Sequence, residues 1–412
     1  MTRSEHRVAA LSRFALVTSL AAAPVALMSA DSAAASSTSR PASSTSRPAA
    51  SSRPLLAGFH WARLRQSPLG PRSQPILALT GKELIELGGL RKGNTTQDGA
   101  AYDPGTGRWH TIAPMRVNVG FDNATTAWTG RQLFVTNGQV ASCLGGEPLS
   151  NCLARAGLYD PATNHWTTTL LPKAMEGMFP EASVWTGHQI VLAAVEENRG
   201  RLAVASYNPA TRRWHVITPR LPKLHPAGFV ALAVAPGRVL LWSAWDRAQG
   251  NALYWGVDVE ALARDGRWRD VTSNWPQNHT LTAFAYTRRG ILVSPSEFWC
   301  GPCPGPFVAF PGFFANPVSL HRTAIPAGPL GQAVPEFIWT GNAIIAVNIG
   351  ASVGGPGVRI RPDDMALYIP ATKHWSRLAA MPRRPALSVT PVWTGTELLT
   401  LTDSGHLLAF RR

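Results

Sequence analysis

Two glutamates, Glu181 and Glu336, each follow a proline and each open an apolar run. Carboxylates held at strand starts can act as a general acid and base, the pair a sugar-cleaving enzyme uses. Four cysteines form two local pairs, Cys143/Cys152 and Cys300/Cys303. The second lies in Trp299-Cys300-Gly301-Pro302-Cys303, the spacing of a dithiol redox centre, which needs its first thiol at a helix N-terminus. Pro304-Gly305-Pro306 follows and starts no such helix, so both pairs read as disulfides clamping their own loops in an exported chain. Beside them, Trp242, Trp245, Trp255, Trp275 and Trp299 crowd into one stretch with His279, Asp246, Arg247, Asn278 and Glu297. Flat aromatic faces next to polar groups suit sugar rings, and they equally suit packing in irregular units. No metalloprotease helix, phosphate loop, dinucleotide fingerprint or calcium loop occurs, so no metal or other cofactor is expected.

The charge is strongly basic. Lys and Arg number 39 against 24 Asp and Glu, a net +15. Such a balance favours an anionic partner, and it also fits a codon bias toward Arg. Basic residues expected in loops near one end of the fold include Arg116, Lys173, Arg220, Lys223, His225, Arg383 and Arg384, opposed by Glu176, Glu181 and Glu336.

What positions these residues is a repeated unit. Tyr and Trp stand seven positions apart in Tyr102…Trp109, Tyr159…Trp166, Tyr207…Trp214 and Tyr368…Trp375, with Asp-Pro, Asn-Pro or Ile-Pro after the Tyr. Trp-Thr-Gly recurs at residues 128–130, 185–187, 339–341 and 393–395, with degenerate versions at Gly81, Gly237 and Gly290. The seven glycines are spaced by 49, 57, 50, 53, 51 and 54 residues, a period that marks a β-propeller. Turn residues bounding short β-branched and aromatic runs give four strands per unit, a to d. The a–b and c–d turns are tight and share one face of the disc. The longer b–c and d–a connections share the other, where a ligand site is expected at the channel mouth. Trp242 and Trp245 are placed in a b–c loop, Trp275 and His279 in a d–a loop, and Trp299 just before another b–c loop.

The ends complete the plan. Arg3, Arg7 and Arg13 precede an apolar run from Phe14 to Ala30, and Ala33 and Ala35 offer a cleavage site, the layout of a secretory signal over residues 1–35. An uncleaved anchor is the alternative. Residues 36–54, rich in Ser, Arg and Pro, read as a disordered spacer, and the propeller is expected over 55–412. The last unit runs out at Phe410-Arg411-Arg412 with no strand d, and Phe59-His60-Trp61-Ala62-Arg63-Leu64 matches one. The N-terminal segment is therefore expected to complete blade seven and leave no open edge.

On the Tyr/Trp pairs and on Gly88-Gly89 after strand b of the first unit, residues 59–412 resemble the kelch-repeat β-propellers of the galactose-oxidase-like superfamily. Later units carry Asn137-Gly138 and Ile349-Gly350 where the double glycine would stand. The resemblance implies an all-β, seven-bladed fold but no single activity. A copper-radical oxidase needs spare tyrosines; of six, four serve the repeat and Tyr254 reads as strand c, which disfavours that chemistry. The expectation is a monomeric binding module, secreted or at the cell surface, for an envelope or extracellular polymer such as an acidic glycan, or for a protein. Nucleic acid is not the expected partner, and no membrane span is expected in the mature chain. The alternative is a carbohydrate-active hydrolase or lyase.

Overall fold

The repeat signatures prescribe their own turns. In Trp128-Thr129-Gly130 the Thr129 amide and hydroxyl both donate to the Gln132 carbonyl, at 3.0 and 2.9 Å, and the Gln132 amide donates back to the hydroxyl at 2.8 Å. Gly130 sits at φ 88°, where a side chain would be strained. Thr186, Thr340 and Thr394 close the same turn in other units. At the next corner, Asp103, Asp160, Asn208 and Asn316 accept the amide two residues on, at 2.8, 3.0, 2.9 and 2.8 Å. These Asx turns reverse the chain from strand c to strand d.

The structure, a computed structural model, describes residues 58–115, 124–136, 155–196, 201–218, 226–249, 252–272, 284–287, 289–294, 296–298, 308–310, 312–330, 335–348, 364–382 and 391–412. Seven antiparallel sheets of four strands, a-b-c-d in order, form the blades of a propeller. Blade 1 is Ile76–Leu79, Leu84–Leu87, Gly99–Asp103 and Arg108–Ile112; blade 2 is Thr126–Trp128, Leu133–Thr136, Arg155–Asp160 and His165–Leu170. Blade 3 is Phe179–Trp185, Ile190–Glu196, Arg201–Asn208 and Arg213–Val216; blade 4 is Pro226–Ala235, Arg238–Gln249, Ala252–Ala263 and Trp268–Asp270. Blade 5 is Phe284–Thr287, Gly290–Val293, Phe313–Ala315 and Arg322–Ala324; blade 6 is Glu336–Trp339, Ile344–Val347, Met365–Ile369 and His374–Leu378. Blade 7 is Val392–Trp393, Leu398–Leu401 and His406–Arg411, and its strand d is His60–Gln66 from the other end of the chain. His60 pairs with Arg411 and Trp61 with Phe410, as the sequence led one to expect.

Alternating residues on strands b and c point to the two neighbouring blades, so each joint holds its own apolar cluster, and there are seven. Ile85 and Leu87 face blade 2 with Leu133 and Val135, whereas Leu84 faces blade 7 with Leu399 and Leu401. The repeat tyrosines and tryptophans pair across strands c and d, with ring centroids 4.9–5.3 Å apart. Each indole then reaches the previous blade. Trp109 donates to Arg65 O at 2.9 Å, Trp166 to Ala113 O at 2.8 Å, Trp214 to Thr169 Oγ1 at 3.1 Å, Trp375 to Pro326 O at 2.9 Å and Trp61 to Ala379 O at 3.2 Å. Trp268 does the same to Ile217 O. The invariant spacing of Tyr and Trp is thus a joint between blades as well as a cross-strand pair.

Blade 5 has Arg322 where the others have that Trp, and the joint is built another way. Arg238 of blade 4 donates to the Pro317 and Val318 carbonyls, and Trp242, fully buried, fills the core between the two blades beside Ile291, Val293 and Phe313. The placing of Trp242 and Trp245 in a b–c loop is corrected here. Both lie within strand Arg238–Gln249, which pairs along its whole length with Ala252–Ala263.

Candidate functional site

The face that carries the b–c and d–a connections is where the apolar joints give way to polar groups. Buried polar residues gather there about the end of strand b: Glu86 one residue before it in blade 1, Thr136 at it in blade 2, and Ser294 and Asn348 just past it in blades 5 and 6. Some of these groups tie blades together. The Thr125 and Ser183 hydroxyls meet at 2.9 Å between blades 2 and 3, and Ser294 accepts the Phe337 amide at 3.0 Å between blades 5 and 6.

The most heavily built part of this face spans the closure between blades 7 and 1. Arg72, on the connection into blade 1, is fully buried and forks onto Asp98 at 2.9 and 3.1 Å. It also donates to the Gly88 and Leu69 carbonyls at 2.6 Å each, and its Nε lies 3.4 Å from Glu86. Its own amide donates to Asp403 O of blade 7 at 3.1 Å. Gly89 lets the chain close in: a Cβ there would stand 2.8 Å from Ser73 O. Burial pushes Glu86 up to about 7, against the Ser67 hydrogen bond and the Arg72 charge. Burial acts the same way on Asp98, but Arg72 outweighs it and holds that carboxyl below its usual range.

The acid–base candidates lie on strand a of two different blades. Glu181 is the extra residue of a β-bulge in strand a of blade 3, between the pairs Pro180–Ala194 and Ala182–Ala193, and is 4% exposed. Glu336 opens strand a of blade 6 opposite Val347 and is 6% exposed. Blades 3 and 6 are as far apart as two blades of seven can be. Lys173 and Glu176 are exposed at a short 3-10 turn entering blade 3. Arg116, Cys143, Cys152, Arg220, Lys223, His225, Trp275, His279, Trp299, Cys300, Cys303, Arg383 and Arg384 lie outside the described residues. Among the described residues, no three His, Cys, Asp or Glu gather as a metal site, and no helix is long and apolar enough to cross a membrane.

A buried carboxyl elsewhere has a measurable consequence. Glu260, on strand c of blade 4, pairs with Asp270 of strand d. Burial, then the charges of Asp270 and Asp258, push it up to about 7 from 4.5. Its folded value exceeds its unfolded one, so its contribution is complete below pH 4.5 and is lost as pH rises through about 7. Melting scans across that window should show stability falling toward the alkaline side, by up to about 3 kcal/mol from this group. Glu260→Gln should remove that part of the slope; an unchanged slope would mean the carboxyl titrates normally.

Aligning only Tyr and Trp passes over a second regularity, at the residue before each Trp. It is Arg108, Arg213 and Arg267 in blades 1, 3 and 4, and His60, His165 and His374 in blades 7, 2 and 6. In blade 5, His321 precedes Arg322, which holds the Trp position. All seven are exposed, at the start of strand d on the outer circumference.

No family model matches the chain. A curated relative, Kelch-like protein terF of Aspergillus terreus, is 29% identical over 167 residues, 37% of this chain and 35% of that protein. The match thus spans about a third of that relative's length. Among solved structures, an oligogalacturonate lyase from Vibrio parahaemolyticus superposes with a TM-score of 0.54 at 9% identity, covering 85% of this chain and 96% of that one. That second likeness carries the fold alone. The repeat signatures and the closed ring of seven blades make the chain a β-propeller whose repeat is similar to the kelch type.

Proposed function

We propose that this kelch-type propeller is an exported, monomeric binding module for an anionic extracellular or envelope polymer, with an acidic glycan as the first choice and a protein partner as the second. What carries the reading is how the charge is partitioned. Among the described residues, Glu86, Glu181, Glu260, Glu336 and Glu397 are all buried, whereas Arg63, Arg65, Arg108, Arg131, Arg213 and Arg269 are exposed, Arg72 being the buried exception. The surface is therefore more positive than a net +15 alone conveys. A rigid, closed ring with that surface attracts polyanions without having to order itself first.

The test is binding of the full chain to polygalacturonate, a probe chosen after the solved neighbour's name, and to neutral dextran, at low and high salt. Binding to polygalacturonate that weakens with salt, with none to dextran, is expected. Equal binding to both polymers, or to neither, would sink the reading. Glu181→Gln and Glu336→Gln should leave binding in place; loss of polymer cleavage in either would instead favour the hydrolase or lyase alternative.

A further inference from the structure

We infer that the polyanion lies along the outer circumference, held by the residue that precedes each strand-d tryptophan, and not at the channel mouth. The inference rests on the binding-module reading above and adds the surface that performs it. Three observations meet at these positions. First, the side chain is Arg or His in every blade and always exposed, although the repeat fixes only its neighbours. Second, the Trp beside it is spent: in six blades its indole N–H is bonded to the preceding blade, so the strand start is rigidly held. Third, the nearest carboxylates are already engaged. Asp103, opposite Arg108, accepts the Gly105 amide and the Thr106 hydroxyl at 2.8 and 2.9 Å. Asp160, opposite His165, accepts from the Ala162 amide at 3.0 Å and from Arg131 at 3.2 Å. Asp265 accepts the Arg267 amide at 3.0 Å and Arg269 at 2.8 Å.

Arg108, Arg213 and Arg267 make no side-chain ion pair among the described residues. A guanidinium carried on an anchored strand start and left without an ion pair is the group that grips a carboxylate with two parallel hydrogen bonds. Blades pack about 10 Å apart at their faces and splay outward, so no small anion touches two positions. A linear acidic polysaccharide does, and successive weak contacts along one chain then multiply.

The experiment compares wild type with Arg108→Ala/Arg213→Ala/Arg267→Ala and with the matching triple Lys variant, on polygalacturonate at two salt concentrations. The Ala variant should bind at least tenfold more weakly, with a shallower salt dependence, at an unchanged melting temperature. The Lys variant should keep much of the binding, and Lys173→Ala, at the mouth, should keep all of it. If wild type binds and the Ala triple binds equally well, the circumference is not the site although the module reading stands. If wild type binds no acidic polymer, both fail. Tighter binding of a single-stranded nucleic acid than of polygalacturonate at equal salt would overturn the polysaccharide as occupant.

Discussion

Replacing Arg72 by Met should cost about 3–5 kcal/mol, the range for removing one partner of a buried ion pair. The side chain is fully buried and serves six groups at once: both Asp98 oxygens, the Leu69 and Gly88 carbonyls, the Thr96 hydroxyl, and Glu86. Methionine matches the stem but supplies no donor, leaving two buried carbonyls with nothing in return and the Glu86 carboxyl with only the Ser67 hydroxyl. Denaturant midpoints of the variant read the loss. Glu86 sits near 7 even with Arg72 present, so without it the carboxyl should hold its proton more firmly still. The deficit should therefore be greatest above neutral pH and shrink in acid. Adding Glu86→Leu to Arg72→Met should recover part of the loss. A single variant as stable as wild type would show that the cluster is filled by water at no cost.

Removing residues 55–66 should have a still larger effect. It strips strand d from blade 7, takes Trp61 and Phe59 away from Phe410 (ring centroids 5.3 and 5.5 Å) and breaks the indole bond from Trp61 to Ala379. Burying such side chains is worth about 1.5–3 kcal/mol each, so the loss should reach on the order of 5 kcal/mol or more. The strand His406–Arg411 would also be left as an open edge, ready to pair with another copy. A lower melting temperature and association on size exclusion are expected. Residues 55–66 supplied as a separate peptide should partly reverse both. An unaltered melt would mean the ring does not depend on this closure.

The architecture was legible because its signatures are local. Thr-Gly and Asp-Pro write turns that form wherever they occur, and seven such glycines at regular spacing leave few folds open. Closure was legible too, since Trp61 matches the Trp that opens strand d in every other blade but the fifth, and His60-Trp61 copies the pair found in blades 2 and 6. Blade 4 was harder. Its two central strands, Arg238–Gln249 and Ala252–Ala263, run on past the length of the others, and Trp242 was read as loop because the repeat predicts a loop there. Its burial answers a local need, the missing Trp at Arg322. The paired glutamates could be placed only in part: both were legible as strand-a residues, but which blades carry them, and so their distance across the ring, does not follow from spacing along the chain. The residue before each Trp was visible throughout, but it stands out only once strand d is known to be the outer one.

The pairing of His60 with Arg411 joins the first described strand to the last, across nearly the whole chain. It sets an order of events. As the protein is synthesised, six blades can assemble in sequence, each on the one before it. The opening strand has no partner during that time and must wait for His406–Arg411 to appear. Closure is therefore late by construction. A ring lacking either of these two strands keeps raw edges, and the paired ring has none.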